Sequence, residues 1–188
     1  YSNQQWAGTF GGPLKKDRAH FFVNYEYERE PGTFVYRSTG PTAYFNRDLS
    51  GTRREKKGTM RLDFQFSGRT RLMIRANNWH NDIPFDQDAG GAGATFAPSS
   101  AVFSDRYSDQ VNLDLTMVLT NKTVNEIKVA HSGQHWARHS IISDWVGGPR
   151  TFAGPVLPGS GVPNISFSGY SLGTPTNIPQ RIGQDVYD

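Results

Sequence analysis

The chain has 188 residues, with 20 Gly, 11 Pro, no Cys, 36% hydrophobic and 13% aromatic residues, a net charge of +3 and a mean hydropathy of −0.60. Without cysteine there is no disulfide framework and no thiolate-held metal, and acids and bases are too evenly mixed to form a nucleic-acid surface. No apolar run approaches the roughly 18 residues that a membrane-crossing helix requires.

The first predicted elements are a pair of strands, QQWAGTFGGPL and AHFFVNYEYERE, joined by a turn at Lys15, Lys16, Asp17 and Arg18. Phe21, Val23, Tyr25 and Tyr27 share one parity, while His20, Asn24, Glu26 and Glu28 share the other. Such alternation makes a strand with two differently solvated faces. A Gly/Pro/Ser-rich excursion is expected from about Pro31 to Thr52. In the second pair Met60, Leu62, Phe64 and Phe66 alternate with Arg61, Asp63 and Gln65; Ser67, Gly68 and Arg69 turn the chain, and Leu72, Ile74 and Ala76 follow. A second excursion is expected over about His80 to Ser104. The third pair sets Val111, Leu113, Leu115, Met117 and Leu119 against Asn112, Asp114 and Thr116, turns at Asn121 and Lys122, and continues as TVNEIKVAHSGQHWARH. There Ile127 and Val129 share a parity with Asn125 and His131, so the alternation is less clear.

Short turns on one side, long connections on the other, and strands of about ten residues are the pattern of an outer-membrane barrel. A closed antiparallel sheet gives every backbone polar group an internal partner in hydrocarbon. The expected fold is therefore all-β: an antiparallel transmembrane β-barrel fragment of about six strands, in three hairpins with short periplasmic turns and long extracellular loops. A soluble secreted β-sandwich that binds carbohydrate also alternates, but its strands average about five to six residues. The chain begins at Tyr1 and stops at GQDVYD as a new element opens, so it reads as an internal piece of a longer protein.

The run NQQWAGTFGGPLKKDRAHFFVNYEYER resembles the start of the barrel in TonB-dependent outer-membrane transporters of the Oar-like group. The matching residues are Asn3, Gln4, Trp6, Gly8, Gly11, Gly12, Pro13, Leu14, Lys16, Asp17, Phe21, Phe22, Asn24, Tyr25 and Glu26. LTNKTVNEIKVAHSG and ISFSGYSLGTPTNIPQRIGQDVYD are similar to later segments of that family, whereas Ala7 and Thr9 stand where more glycine is expected. The resemblance implies that residues 1–188 form part of a barrel of about 22 strands around a plug domain. The wall would sit in the bacterial outer membrane, in contact with lipid, lipopolysaccharide and its own plug, and would import a scarce solute with energy from the TonB complex. Plug and TonB box lie outside these residues. On this reading Phe21, Val23, Tyr25, Tyr27, Leu62, Phe64, Leu113 and Leu115 face lipid, with tyrosines toward the headgroups.

Candidate sites are sparse. Gly169, Tyr170, Ser171, Leu172 and Gly173 spell G-x-S-x-G, but a nucleophile elbow needs a following helix and later acid and His; Pro175 and Pro179 follow, and the last His is His139. No enzymatic activity is expected. His131, His135 and His139 stand four apart, about 13 Å per step on a strand, too far to share one metal. Asp86, Asp88 and Gly90 give D-x-D-x-G without the later Glu of a calcium loop, so no metal and no cofactor is assigned. The mixed-sign run RREKK at 53–57 reads as a solvated extracellular strand end, and Asn121-Lys122-Thr123 as a periplasmic turn. Trp79 and Trp136 fall on the lumen parity, where their rings can stack on a sugar or planar ligand. The loop from Asp82 to Ser104, with Asp82, Asp86 and Asp88, is the expected extracellular binding element, since long loops carry function more often than walls do.

Overall fold

The structure, a computed structural model, describes residues 2–37, 39, 43–44, 46–86, 98–140, 164–175 and 177–188. Period-2 alternation builds six long strands: β1 (Gln4–Lys15), β2 (Ala19–Tyr36), β3 (Arg47–Ser67), β4 (Thr70–Asp86), β5 (Val102–Thr120) and β6 (Thr123–Ser140). A two-stranded hairpin, β7 (Ile165–Phe167) with β8 (Tyr170–Leu172), precedes β9 (Gln180–Tyr187). The sheet order is β1-β2-β3-β4-β5-β6-β9, every pairing is antiparallel, and the sheet does not close. The protein is thus all-β, as the alternation predicts.

Tight turns at one end join β1 to β2, β3 to β4 and β5 to β6. In the first, the Arg18 amide donates to the Lys15 carbonyl at 3.1 Å and Asp17 sits at φ 58°, a left-handed conformation that Asp tolerates better than most residues. In the third, the Lys122 amide donates to Thr120 Oγ1 at 3.2 Å.

The strands outrun the predicted excursions. Residues 31–36 belong to β2 and 47–52 to β3, with Pro31 opposite Thr52 and Tyr36 opposite Arg47. β1 ends with Gln4 opposite Arg29, so Pro31 has a strand neighbour on one side only, and a missing N–H is tolerated at such a position. Likewise residues 80–86 belong to β4 and 102–104 to β5. RREKK therefore lies inside β3, with Arg53, Glu55 and Lys57 on one face and Arg54 and Lys56 on the other. Register slips between Ile83 and Asp86, and Phe85 takes φ 57°, the signature of a bulge that bends the strand end. Gly51 makes room for it, since a Cβ there would meet Pro84 at 2.7 Å and Phe85 at 2.8 Å.

Registration across the pairings sorts the two faces. Phe21 lies opposite Leu62, Leu62 opposite Ile74, Ile74 opposite Leu113, and Leu113 opposite Val129. Phe64, Leu72, Leu115 and Ile127 form the adjacent row. Phe21, Val23, Tyr25, Tyr27, Leu62, Phe64, Leu113 and Leu115 therefore share one face. The opposite face carries Glu26, Arg61, Asp63, Arg71, Asn77, Gln110, Asn112 and Asp114.

Little of the apolar face is covered. The buried hydrophobic residues among those described are Ala19, Tyr36, Ala101, Val102 and Ile178, whereas Phe10, Val23, Met60, Leu113, Ile127 and Val129 are exposed. The accessible surface is 12418 Å², against about 9,000 Å² for a compact monomer of this mass. Apart from Ala19, beside a tight turn, the buried hydrophobic residues lie at the end with long connections, where Tyr36, Val102, Ser104 and Ser140 sit on the polar-face parity. There the segment after β8 packs down, with Thr174 Oγ1 donating to Ser140 Oγ at 3.0 Å and Ser100 Oγ donating to the Gly173 carbonyl at 2.5 Å.

Overfilling the bulge should cost stability. Gly51→Val is expected to lower stability by about 1 to 3 kcal/mol, read as the urea midpoint of the intact protein. Gly32→Val, on the same rung but with nothing within 4 Å of its Cβ position, should shift the midpoint far less.

Candidate functional site

On the polar face the densest cluster centres on Glu55, which β3 holds between Trp79 and Asn81 of β4. Trp79 Nε1 donates to Glu55 Oε1 at 2.9 Å, and Asn81 Nδ2 donates to Oε2 at 3.0 Å. Arg53 and Lys57, two residues away on either side, reach the same carboxylate at 2.7 Å each. Glu55 is buried and Asn81 is 2% exposed. Burial pushes the Glu55 carboxyl up, but the hydrogen bonds from Lys57 and Trp79 and the charges of Lys57 and Arg53 outweigh it and hold it below its ordinary value.

On the same rung as Glu55 and Asn81, Trp136 of β6 lies opposite Arg106 and donates from Nε1 to Ser104 Oγ at 2.6 Å. The guanidinium carbons of Arg106 and Arg138 stand 5.2 and 5.4 Å from its ring centroid, within cation–π range. Both tryptophans thus occupy the polar face, as their parity predicts, but their indole N–H groups are engaged and the Trp136 ring carries two cations. A ligand here meets a fixed charged lattice rather than bare aromatic platforms. RREKK is expected to be a solvated strand end, yet Glu55 within it is buried; Asn81, Arg106 and Arg138 carry no local signal of their own, and the parity of RREKK, which puts Glu55 and Lys57 beside Trp79, is the one that points to the cluster.

The predicted loop element divides. Asp82 is a strand residue opposite Asp105 and shares the apolar-face parity with Leu113, so it does not join the tryptophans. Asp86 ends β4, and Asp88 and Gly90 lie outside the described residues. Asp82 remains in the ladder because paired backbone groups are satisfied wherever a neighbouring strand continues, whatever the side chains.

Above the aliphatic rows, the apolar-parity face turns into a band of imidazoles, carboxylates and tyrosines. His80 Nε2 lies 2.7 Å from Asp105 Oδ1 and 3.2 Å from Asp82 Oδ1. His131 lies 3.5 Å from both Asp109 and Asp185, and His135 Nε2 is 3.6 Å from the same Asp185 oxygen. Gly133, between the two histidines, leaves space for these acids: its Cβ would meet Asp109 Oδ1 at 2.9 Å and Asp185 Oδ1 at 3.0 Å. His139 packs on Phe103 instead, with ring centroids 4.9 Å apart. Asp185 is 54 positions beyond His131 in the chain, so only registration of β9 on β6 reveals the cluster.

Ser171 lies in β8, its Oγ 3.3 Å from Ser166 Oγ, and Gly169 and Gly173 take φ 87° and 80°. The motif forms a small hairpin with β7, not a strand–turn–helix elbow.

No protein-family model, curated protein or solved structure matches the chain.

Replacing the carboxylate tests the Glu55 cluster. Glu55→Gln keeps an acceptor for Trp79 but removes the charge, and should cost about 1 to 3 kcal/mol, toward the lower end because Arg53 and Lys57 are half exposed. A carboxyl depressed in the folded state stabilises above its unfolded pKa and loses that contribution as pH falls through its lower folded value. Urea titrations at descending pH should therefore bring Glu55→Gln and the parent protein together below the ordinary carboxylate range.

Proposed function

We propose that the chain is a wall segment of a bacterial outer-membrane transporter of the TonB-dependent, Oar-like kind, importing a scarce solute. The single observation behind this reading is the exposed apolar face, continuous in register from β1 to β6, set against a polar, ion-paired opposite face. A soluble sandwich would cover that face with a second sheet. Among the described residues the second sheet is three residues long in each of its two strands.

The dimensions support the reading. From Val111 to Leu119 the apolar parity of β5 rises about 26 Å along the strand, or about 20 Å vertically at a tilt of about 40°. A lipid-facing band is about 25 Å tall. Trp6, Tyr25, Tyr27 and Tyr107 follow on the same face toward the long connections, where amphipathic rings suit a headgroup layer. On this reading the short turns are periplasmic, and the segment after β8, packed on the polar-face parity through Thr174 and Ser140, narrows the lumen entrance. The open edges at β1 and β9 are where further barrel strands would pair. Glu55, Trp79, Asn81, Arg106 and Trp136 would then line the lumen above the membrane level and meet solute or plug.

The test is a paired charge substitution in the intact protein. Leu113→Arg should lose about 2 to 4 kcal/mol and fail to assemble in the outer membrane, while Asn112→Arg, one residue away on the polar face, should assemble normally. Equal assembly of both variants, or recovery of the parent protein in the soluble fraction, would sink the proposal and favour a secreted binding module.

A further inference from the structure

We propose that His80, Asp82 and Asp105 form a binding site for a divalent transition ion, one that staples β4 to β5 above the aliphatic rows. This inference concerns the ladder itself and holds whether or not the apolar face meets lipid.

The three potential ligand atoms lie within 4.8 Å of one another. They come from two strands in fixed register: Asp82 and Asp105 are direct cross-strand partners, and His80 is on the same face one step along β4, opposite Tyr107. Two carboxylates placed directly opposite each other repel. Both converge on one atom, His80 Nε2, which offers either a single proton or a single lone pair. One proton cannot make two good hydrogen bonds to two carboxylates. A divalent cation accepts all three groups together and cancels both negative charges.

Neighbouring cations leave this role open. Arg54 lies opposite Asp82 and Lys56 opposite His80 on β3, yet no ion pair joins either to the cluster among the described residues. Next to the cluster on the other side stand Ala137 and His135 of β6, and His135 is paired with Asp185. All three ligands are half-buried, so part of the coordination sphere stays open to water.

The donor set selects the ion class. One imidazole nitrogen with two carboxylate oxygens suits zinc and its first-row neighbours; calcium and magnesium prefer oxygen alone. Three protein ligands with water in the open position is a common zinc arrangement.

The experiment is calorimetric titration of the intact, metal-stripped protein with Zn²⁺, alongside His80→Ala, Asp105→Asn and His131→Ala. Expected are a binding event in the parent protein, at least about tenfold weaker affinity in the first two variants, and unchanged affinity in His131→Ala. Asp105→Asn is nearly isosteric, and its far-UV circular dichroism should match the parent, which separates loss of a ligand from loss of the fold. Absence of zinc binding, or binding that Asp105→Asn leaves intact while His131→Ala abolishes it, overturns the assignment.

Discussion

Everything in this structure depends on strand registration. Side chains alternate with a period of two, so a slip of one residue in any pairing would carry Leu62, Ile74 or Leu113 to the polar face. The rows Phe21-Leu62-Ile74-Leu113-Val129 and Phe64-Leu72-Leu115-Ile127 exist because successive pairings keep the same parity. The tight turns at one end hold that register, and the bulges at Pro13–Lys15, Gln65–Ser67 and Val118–Thr120 lie beside those turns, outside the apolar rows.

The same alternation separates two kinds of chemistry. The polar face holds mixed ion pairs, such as Arg61 and Arg71 on Asp63 at 2.7 Å each, and the Glu55 cluster farther along the sheet. Charges there neutralise one another within the sheet. Among the described residues the apolar face has no comparable lattice along its aliphatic rows. Its polar groups appear beyond them, where His80, Asp82, Asp105, His131, His135 and Asp185 gather. A single sheet thus presents an apolar band, a charged face and a histidine–carboxylate fringe without needing a second packed layer.

The strand pairs and their faces were legible in the sequence because Phe, Leu, Val and Ile recur at alternate positions between short polar turns. Strand ends were not legible. RREKK and His80-Asn81-Asp82 carry polar side chains on both parities, so hydrophobic alternation disappears while the backbone ladder continues. Pro31 and Gly32 read as an excursion, yet they pair with residues 51–52, a place where Pro is tolerated because the strand neighbour on the other side has already ended. Trp79 and Trp136 could be assigned to a face by parity alone. The partners that define their surroundings, Glu55 and Arg106, and the opposition of Asp82 to Asp105 require a cross-strand register that no local pattern encodes.

If the chain spans the outer membrane as proposed, the Leu113 face meets lipid and the Asn112 face meets water. The most direct test is spin-label accessibility along β5 at positions 110–115, with single cysteines introduced into an otherwise cysteine-free intact protein in lipid bilayers. Lipid contact predicts collision with oxygen at 111, 113 and 115 and collision with a polar nickel reagent at 110, 112 and 114, in opposite phase with a period of two. Reagent access at 111, 113 and 115 equal to that at 110, 112 and 114, or protection of 111, 113 and 115 from oxygen and nickel alike, would contradict it.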